Sequence, residues 1–184
     1  SSVDELFVVS GGQQGIDLMC KVFLDKGDYV LVENPTYLAF LQIASSYEAT
    51  PVGVDSDENG LILSDLEAKI KKYHPKFLYV VPTFSNPTGR SYSVENRKGI
   101  AALAEKYDIM VLEDDPYSRL RYSGEPLVPI KSFDRVGKVI YVTSFSKILA
   151  PGLRTGVMCG NAEVIKKLVV GKQCADVHTS GLSQ

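Results

Sequence analysis

Tryptophan is absent from the chain, histidine occurs twice and cysteine three times. Cys20, Cys159 and Cys174 are odd in number and widely spaced, with no Cys-x-x-Cys pair. That pattern argues against a disulfide framework and a structural zinc site, so no metal ligand is assigned and a reducing, cytoplasmic location is expected. No apolar run approaches the roughly 20 residues that a membrane-spanning helix needs. Neither sign of charge dominates: 20 basic and 22 acidic residues leave a formal net charge of -2. There is thus no electrostatic case for nucleic acid or an anionic membrane as a partner. The opening Ser1-Ser2-Val3-Asp4-Glu5 lacks the positive and apolar regions of a signal peptide. Internal repeats, low-complexity tracts and linkers are also missing.

What is present fits one ordinary globular domain: 184 residues, 45% hydrophobic and 23% charged. A chain of this size buries roughly 70% of its unfolded surface and needs no staples. Residues 1–184 are therefore read as a single domain. It starts almost directly on Leu6-Phe7-Val8-Val9 and stops at Ser183-Gln184 without a closing element, so truncation at both ends is expected.

Seven short β-branched or aromatic runs predict strands at Leu6–Val9, Tyr29–Val32, Thr50–Val54, Phe77–Val81, Met110–Leu112, Val139–Thr143 and Thr155–Cys159. They are continuously apolar, as strands covered on both faces are. Helical spacing appears between them, around Ile16–Phe23, Tyr37–Ala44, Leu66–Tyr73, Ile100–Tyr107 and Val164–Val169. Ser64 followed by Glu67 reads as a capping box. Alternation of strand and helix predicts a three-layer α/β/α fold around a mainly parallel seven-stranded sheet. Ligands of such folds sit at the carboxyl ends of the strands.

The residues at those ends carry chemistry. Ser10-Gly11-Gly12-Gln13-Gln14-Gly15 precedes a helix, which suits an anion, although the glycines equally build a tight turn. Tyr37 follows the second strand and can stack on a planar ring or simply pack. Asn86 lies in a loop fixed by prolines, which is also ordinary turn composition. Asp114 and Tyr117 follow the fifth strand; a carboxylate there is costly unless paired. Lys147 and Arg154 follow the sixth. A desolvated lysine can form a Schiff base, whereas a lone surface lysine is commoner. Together an anion cradle, two tyrosines, an asparagine, an aspartate, a lysine and an arginine at one sheet edge describe a site for a phosphorylated aromatic aldehyde.

Asn86-Pro87-Thr88-Gly89, Asp114-Asp115-Pro116-Tyr117 and Ser144-Phe145-Ser146-Lys147 with Arg154 resemble the motifs of the fold type I pyridoxal-phosphate aminotransferases of class I/II, in order and spacing. The run from Ser10 and the ending Lys172–Thr179 look most like the 2-aminoadipate, kynurenine and aromatic aminotransferase subgroup. The resemblance implies the large, cofactor-binding domain of enzymes about twice this length. It implies pyridoxal 5′-phosphate as cofactor and an amino acid and a 2-oxo acid as substrates. It further implies a homodimer and a smaller domain that supplies the arginine for the substrate α-carboxylate. By resemblance, Lys147 forms the Schiff base and shuttles the proton. Asp114 pairs with the pyridine nitrogen, being chosen over Asp115 because the family places Tyr three residues on. Tyr117 and Asn86 bond the phenolate oxygen and Tyr37 stacks on the ring. Gly12, Gln13, Ser144, Ser146 and Arg154 hold the phosphate. Gly12 often has a hydroxyl residue as its counterpart, so here only its backbone N–H serves. Ser144 and Ser146 also read as strand-end caps. The isolated chain is expected to be inactive or weakly active.

Other residues receive no role. His74 and His178 are read as structural, and Cys20 and Cys174 as core on helix stripes. Arg90, Arg97, Arg119 and Arg121 are read as surface charges, with a place near the cleft left open for Arg119. Three alternatives stand beside the aminotransferase reading. One is a lyase performing β-elimination on the same cofactor. Another is the effector domain of a GntR/MocR-type transcription regulator, with its DNA-binding segment upstream of Ser1. The third is a non-enzymatic binding domain that retains the motifs as relics.

Overall fold

Runs rich in valine, leucine and tyrosine form a seven-stranded sheet in the computed structural model, which describes residues 2–184. Ser1, at the head of the segment read against a signal peptide, lies outside the described residues. In chain order the elements are β1 (Leu6–Val9), α1 (Gly12–Phe23), β2 (Tyr29–Glu33), α2 (Leu38–Ser46), β3 (Thr50–Val54), β4 (Ser56–Asp57) and β5 (Gly60–Leu61). Then follow α3 (Leu63–Tyr73), β6 (Phe77–Val80), α4 (Val94–Tyr107), β7 (Met110–Asp114), β8 (Val139–Ser144), β9 (Gly156–Cys159) and α5 (Ala162–Gln173). The sheet order is β1-β9-β8-β7-β6-β2-β3, and only β9 runs against its neighbours. The seven strands and five helices expected from periodicity are all present. No described helix is long and apolar enough to cross a membrane.

Pleating divides each strand between two cores. Val30, Val32, Phe77, Tyr79, Leu112, Ile140 and Val142 face α1, α2 and α5. Leu31, Leu78, Val80, Val111 and Val139 face α3 and α4. The parallel strands read as continuous apolar runs because both sides are covered.

The hairpin β4–β5 was not expected. Its turn signal, Asp57-Glu58-Asn59-Gly60, is visible, but its two-residue strands are too short to give a pattern. A distant helix holds it: the Asn96 amide donates to Leu61 O (2.7 Å) and its Oδ1 accepts from Leu61 N (3.2 Å). The capping box is corrected. Helix α3 begins at Leu63 after Ile62, so Ser64 already lies inside the helix and caps nothing. The Ile62 N–H bonds Asp55 O and the Asp65 carboxylate accepts from Asp55 N, so the hairpin itself sets the helix start. Cys174 is also corrected: it is exposed at the C-cap of α5, whereas Cys20 is buried and its thiol is pushed up to about 12 by burial.

Arg97 is the largest correction, because it is 1% exposed. Its guanidinium donates to Pro82 O (2.6 Å), Thr83 Oγ1 (2.9 Å), Tyr92 O (3.1 Å) and Val128 O (3.3 Å), with Glu113 at 4.0 Å. It therefore ties α4 to the loop that leads from β6 towards Asn86. Removing a buried cation of this kind leaves an uncompensated carboxylate and several unpaired acceptors, at a cost of about 3–5 kcal/mol. Urea unfolding of Arg97→Met should show that loss; a change below about 1 kcal/mol would refute the bracing role. Arg90 and Arg119 are exposed as expected, and Arg121 is half-buried over the Phe84 ring.

Candidate active site

The loops after β1, β2, β6, β7 and β8 meet at one edge of the sheet and enclose a cavity of about 450 Å³. Gly12, Gln13, Tyr37, Asn86, Asp114, Tyr117, Ser144, Ser146, Lys147 and Arg154 all line it, so the ten residues given a role toward the cofactor share one cavity. Ile16, Val81, Pro116 and Pro151 complete the wall.

One end of the cavity is built for an anion. Gly11 is the N-cap of α1, with φ +84°, and α1 begins at Gly12. A Cβ on Gly11 would lie 2.5 Å from Arg154 Nη2, so only glycine lets the guanidinium lie against this loop. Arg154 Nη2 reaches Ser10 O at 3.4 Å and forms no ion pair among the described residues. Gly156 serves the same packing: its Cβ would meet Thr143 O at 2.8 Å and Gly12 N at 2.9 Å. Ser144 Oγ donates to Ser146 Oγ (2.9 Å) and accepts from Ser146 N (3.1 Å), which is the strand-end cap considered above. That cap sets both hydroxyls at the anion end.

The same cavity holds a buried acid. Pleating turns consecutive residues of β7 to opposite faces. Glu113 points towards α4 and accepts from Ile130 N and Lys131 N, both at 2.8 Å. Asp114 points into the cavity, where Tyr79 Oη donates to its Oδ2 at 2.7 Å. Asp115 turns away, accepting from Tyr141 Oη (2.8 Å) and Ser118 N (3.1 Å), and lines a separate hollow with Arg119. Arg119 therefore does not reach the Asp114 cavity. Burial pushes the Asp114 carboxyl up to about 7, against the Tyr79 hydrogen bond and with the help of the Asp115 charge. Glu113 is likewise pushed up to about 7 by burial.

These raised values carry a pH dependence. In the unfolded chain both groups lose their protons near their ordinary values of 3.8 and 4.5, while the folded chain keeps them to about 7. Between those limits the folded state binds more protons, so stability present at low pH is lost as pH rises towards 7. Asp114→Asn removes one of the two groups. The cofactor-free variant should therefore lose less stability between about pH 5 and pH 7 than the unchanged chain. Equal slopes in urea titrations across that window would contradict the burial of an acidic Asp114.

Several polar groups of the lining have no partner among the described residues. They are the Asn86 amide, the Tyr117 hydroxyl, the Lys147 amine and Asp114 Oδ1. Tyr37 Oη reaches Gln13 Oε1 at 3.4 Å, and its hydroxyl is raised by burial and by the neighbouring Asp114 and Tyr117. Lys147 is exposed on the turn after β8. The cavity thus offers an amine, an amide, a phenol, an arginine and a carboxylate on one lining, a set that suits a small anionic ligand which also carries a basic group.

Tyr79 was not singled out from the sequence. It lies in Phe77-Leu78-Tyr79-Val80, where its hydroxyl gave no signal against an apolar run. His74 closes α3 with φ 47°, and His178 Nδ1 sits 2.9 Å from Thr179 O; neither lines the cavity.

The profile of the family described as Aminotransferase class I and II matches residues 1–179. The chain is 43% identical to aromatic-amino-acid aminotransferase 1 of Thermococcus litoralis, covering 100% of this chain and 45% of that one. LysN of Thermus thermophilus, an α-aminoadipate aminotransferase crystallised with N-(5′-phosphopyridoxyl)-L-leucine, superposes with a TM-score of 0.94. It is 37% identical and matches 98% of this chain and 47% of its own. An uncharacterised helix-turn-helix transcriptional regulator of Bacillus subtilis, YisV, is 34% identical over 100% of this chain and 38% of its own length. The chain spans about half the length of the curated aminotransferases it matches.

Proposed function

The chain belongs to the class I and II aminotransferases, and we propose that it is the cofactor-binding domain of an enzyme that transfers an amino group from an amino acid to a 2-oxo acid. Enzymes of this class use pyridoxal 5′-phosphate, which when bound supplies an aldehyde for an amine and a ring that stores electrons released at the substrate Cα. The observation that carries the reading is the set of unpartnered groups of complementary chemistry on one cavity wall: Lys147, Asn86, Tyr117 and Asp114 Oδ1.

Each residue then has a task. Arg154 gives the phosphate a charge-assisted contact, joined by Ser144, Ser146, Gln13 and the Gly12 backbone N–H. Tyr37 would pack against the ring. Asp114 would pair with the ring nitrogen and hold a proton there. Asn86 and Tyr117 donate to the phenolate oxygen. Lys147 would supply the amine that holds the cofactor's aldehyde, and that same amine would serve as the base that moves a proton at the substrate Cα.

The whole protein is proposed to continue beyond both ends of this chain and to act as a cytoplasmic homodimer. The test is an assay of 2-oxo-acid-dependent amino transfer by the full-length protein, run beside an assay of pyruvate release from a cysteine conjugate. Amino transfer supports the reading, and pyruvate release alone would make the protein a lyase. The similarity to YisV favours a second reading, an aminotransferase-like effector domain. A DNA-binding segment in the native reading frame upstream of Ser1 would establish it.

A further inference from the structure

Asp114 is held from behind by a residue outside the cavity lining. Tyr79 lies on β6, beside β7, and its ring is fully buried. Its hydroxyl makes the one hydrogen bond that the Asp114 side chain has among the described residues. Phe40 stacks on the Tyr79 ring, with centroids 4.0 Å apart and planes 1° from parallel. Phe77 meets Phe40 edge-on at 6.2 Å. A buried phenol with a single acceptor, clamped on its face, has little freedom to turn away.

We propose that Tyr79 is a positioning residue for the cofactor site: its hydroxyl fixes Asp114 Oδ2, so that Oδ1 faces the cavity as an oriented anion, and Phe40 locks the Tyr79 ring. This rests on the reading of the cavity as the pyridoxal-phosphate site. Tyr37 and Phe40 lie three apart at the start of α2, so one helix places the stacking tyrosine and the clamp. Burial opposes ionisation of Asp114, and the Tyr79 donor works against that push. The other titratable groups around the carboxyl are Asp115, Tyr37 and Tyr117, with Lys147 and Arg154 on the same cavity. None of these donates a hydrogen bond to Asp114. A tyrosine that merely fills the core would contribute to stability and nothing else.

The test compares Tyr79→Phe with the unchanged full-length protein, both loaded with pyridoxal phosphate. Losing a donor to a charged group should lower kcat roughly 10- to 100-fold while KM for the amino acid changes less than about twofold. Without this donor the Asp114 carboxylate would compete harder for the proton on the ring nitrogen, and the ring would withdraw less charge from the chromophore. The pH midpoint of the visible band should move up. An unchanged kcat and midpoint, with only a lower urea midpoint, overturns the proposal. If Tyr79→Phe fails to fold, 3-fluorotyrosine at position 79 keeps the shape and strengthens the donor. The midpoint should then move down, and a fixed midpoint overturns the proposal. If the unchanged protein takes up no cofactor, the site reading fails first and this one falls with it.

Discussion

Lys147→Ala in the full-length protein is expected to lower amino-transfer turnover by roughly 10⁴-fold. The lysine is given two tasks, holding the aldehyde and moving the proton, and no other amine lines the cavity among the described residues. Arg154 shares the cavity, but a guanidinium offers only donors and no free amine, so it cannot take either task. Fold stability should be nearly untouched, because Lys147 is exposed and its amine has no partner to lose. That separation matters: an activity loss with an unchanged urea midpoint assigns the effect to chemistry. Lys147→Ala retaining turnover within about tenfold would show that another group does the work.

Asp114→Asn is expected to act on activity and on stability with opposite signs. A neutral amide cannot hold a proton on the ring nitrogen by charge, and loss of one preorganised electrostatic contact costs roughly 10²–10³ in kcat. The same change removes a buried carboxyl whose value is pushed up to about 7, so the cofactor-free protein should be more stable than the unchanged one above that pH. The amide oxygen can still accept from Tyr79, so the core packing around Phe40 is kept. Asp115→Asn is the control, since Asp115 faces Tyr141 and Ser118 outside the cavity. Equal loss of activity in the two variants, measured as kcat with saturating cofactor, would refute the assignment to Asp114.

Much of this was legible before the structure. The seven-stranded sheet could be read because strands covered on both faces are unbroken apolar runs, and Gly, Pro and Asn mark their ends. The cavity could be anticipated because a parallel sheet gathers residues at the ends of its strands to one edge, which brings Asp114 at the end of β7 together with Lys147 and Arg154 on the connection after β8. What escaped the sequence depends on long-range partners. Arg97 looks like a surface charge in a polar helix, yet its acceptors are backbone oxygens at positions 82, 92 and 128 and the side chain of Thr83. Tyr79 looks like one more apolar strand residue until β7 brings Asp114 within 2.7 Å. Ser64 had the spacing of a cap, but the preceding hairpin starts the helix earlier. Cys174 had the spacing of a core residue at a point where α5 has already ended.

The central claim is that Lys147 holds the cofactor. The direct measurement is the visible spectrum of the full-length protein with added pyridoxal phosphate, followed by borohydride reduction and peptide mapping. A yellow band that reduction traps on the peptide containing Lys147 is the predicted result. Label scattered over surface lysines such as Lys26 and Lys166, or fixed on one other lysine, would contradict it.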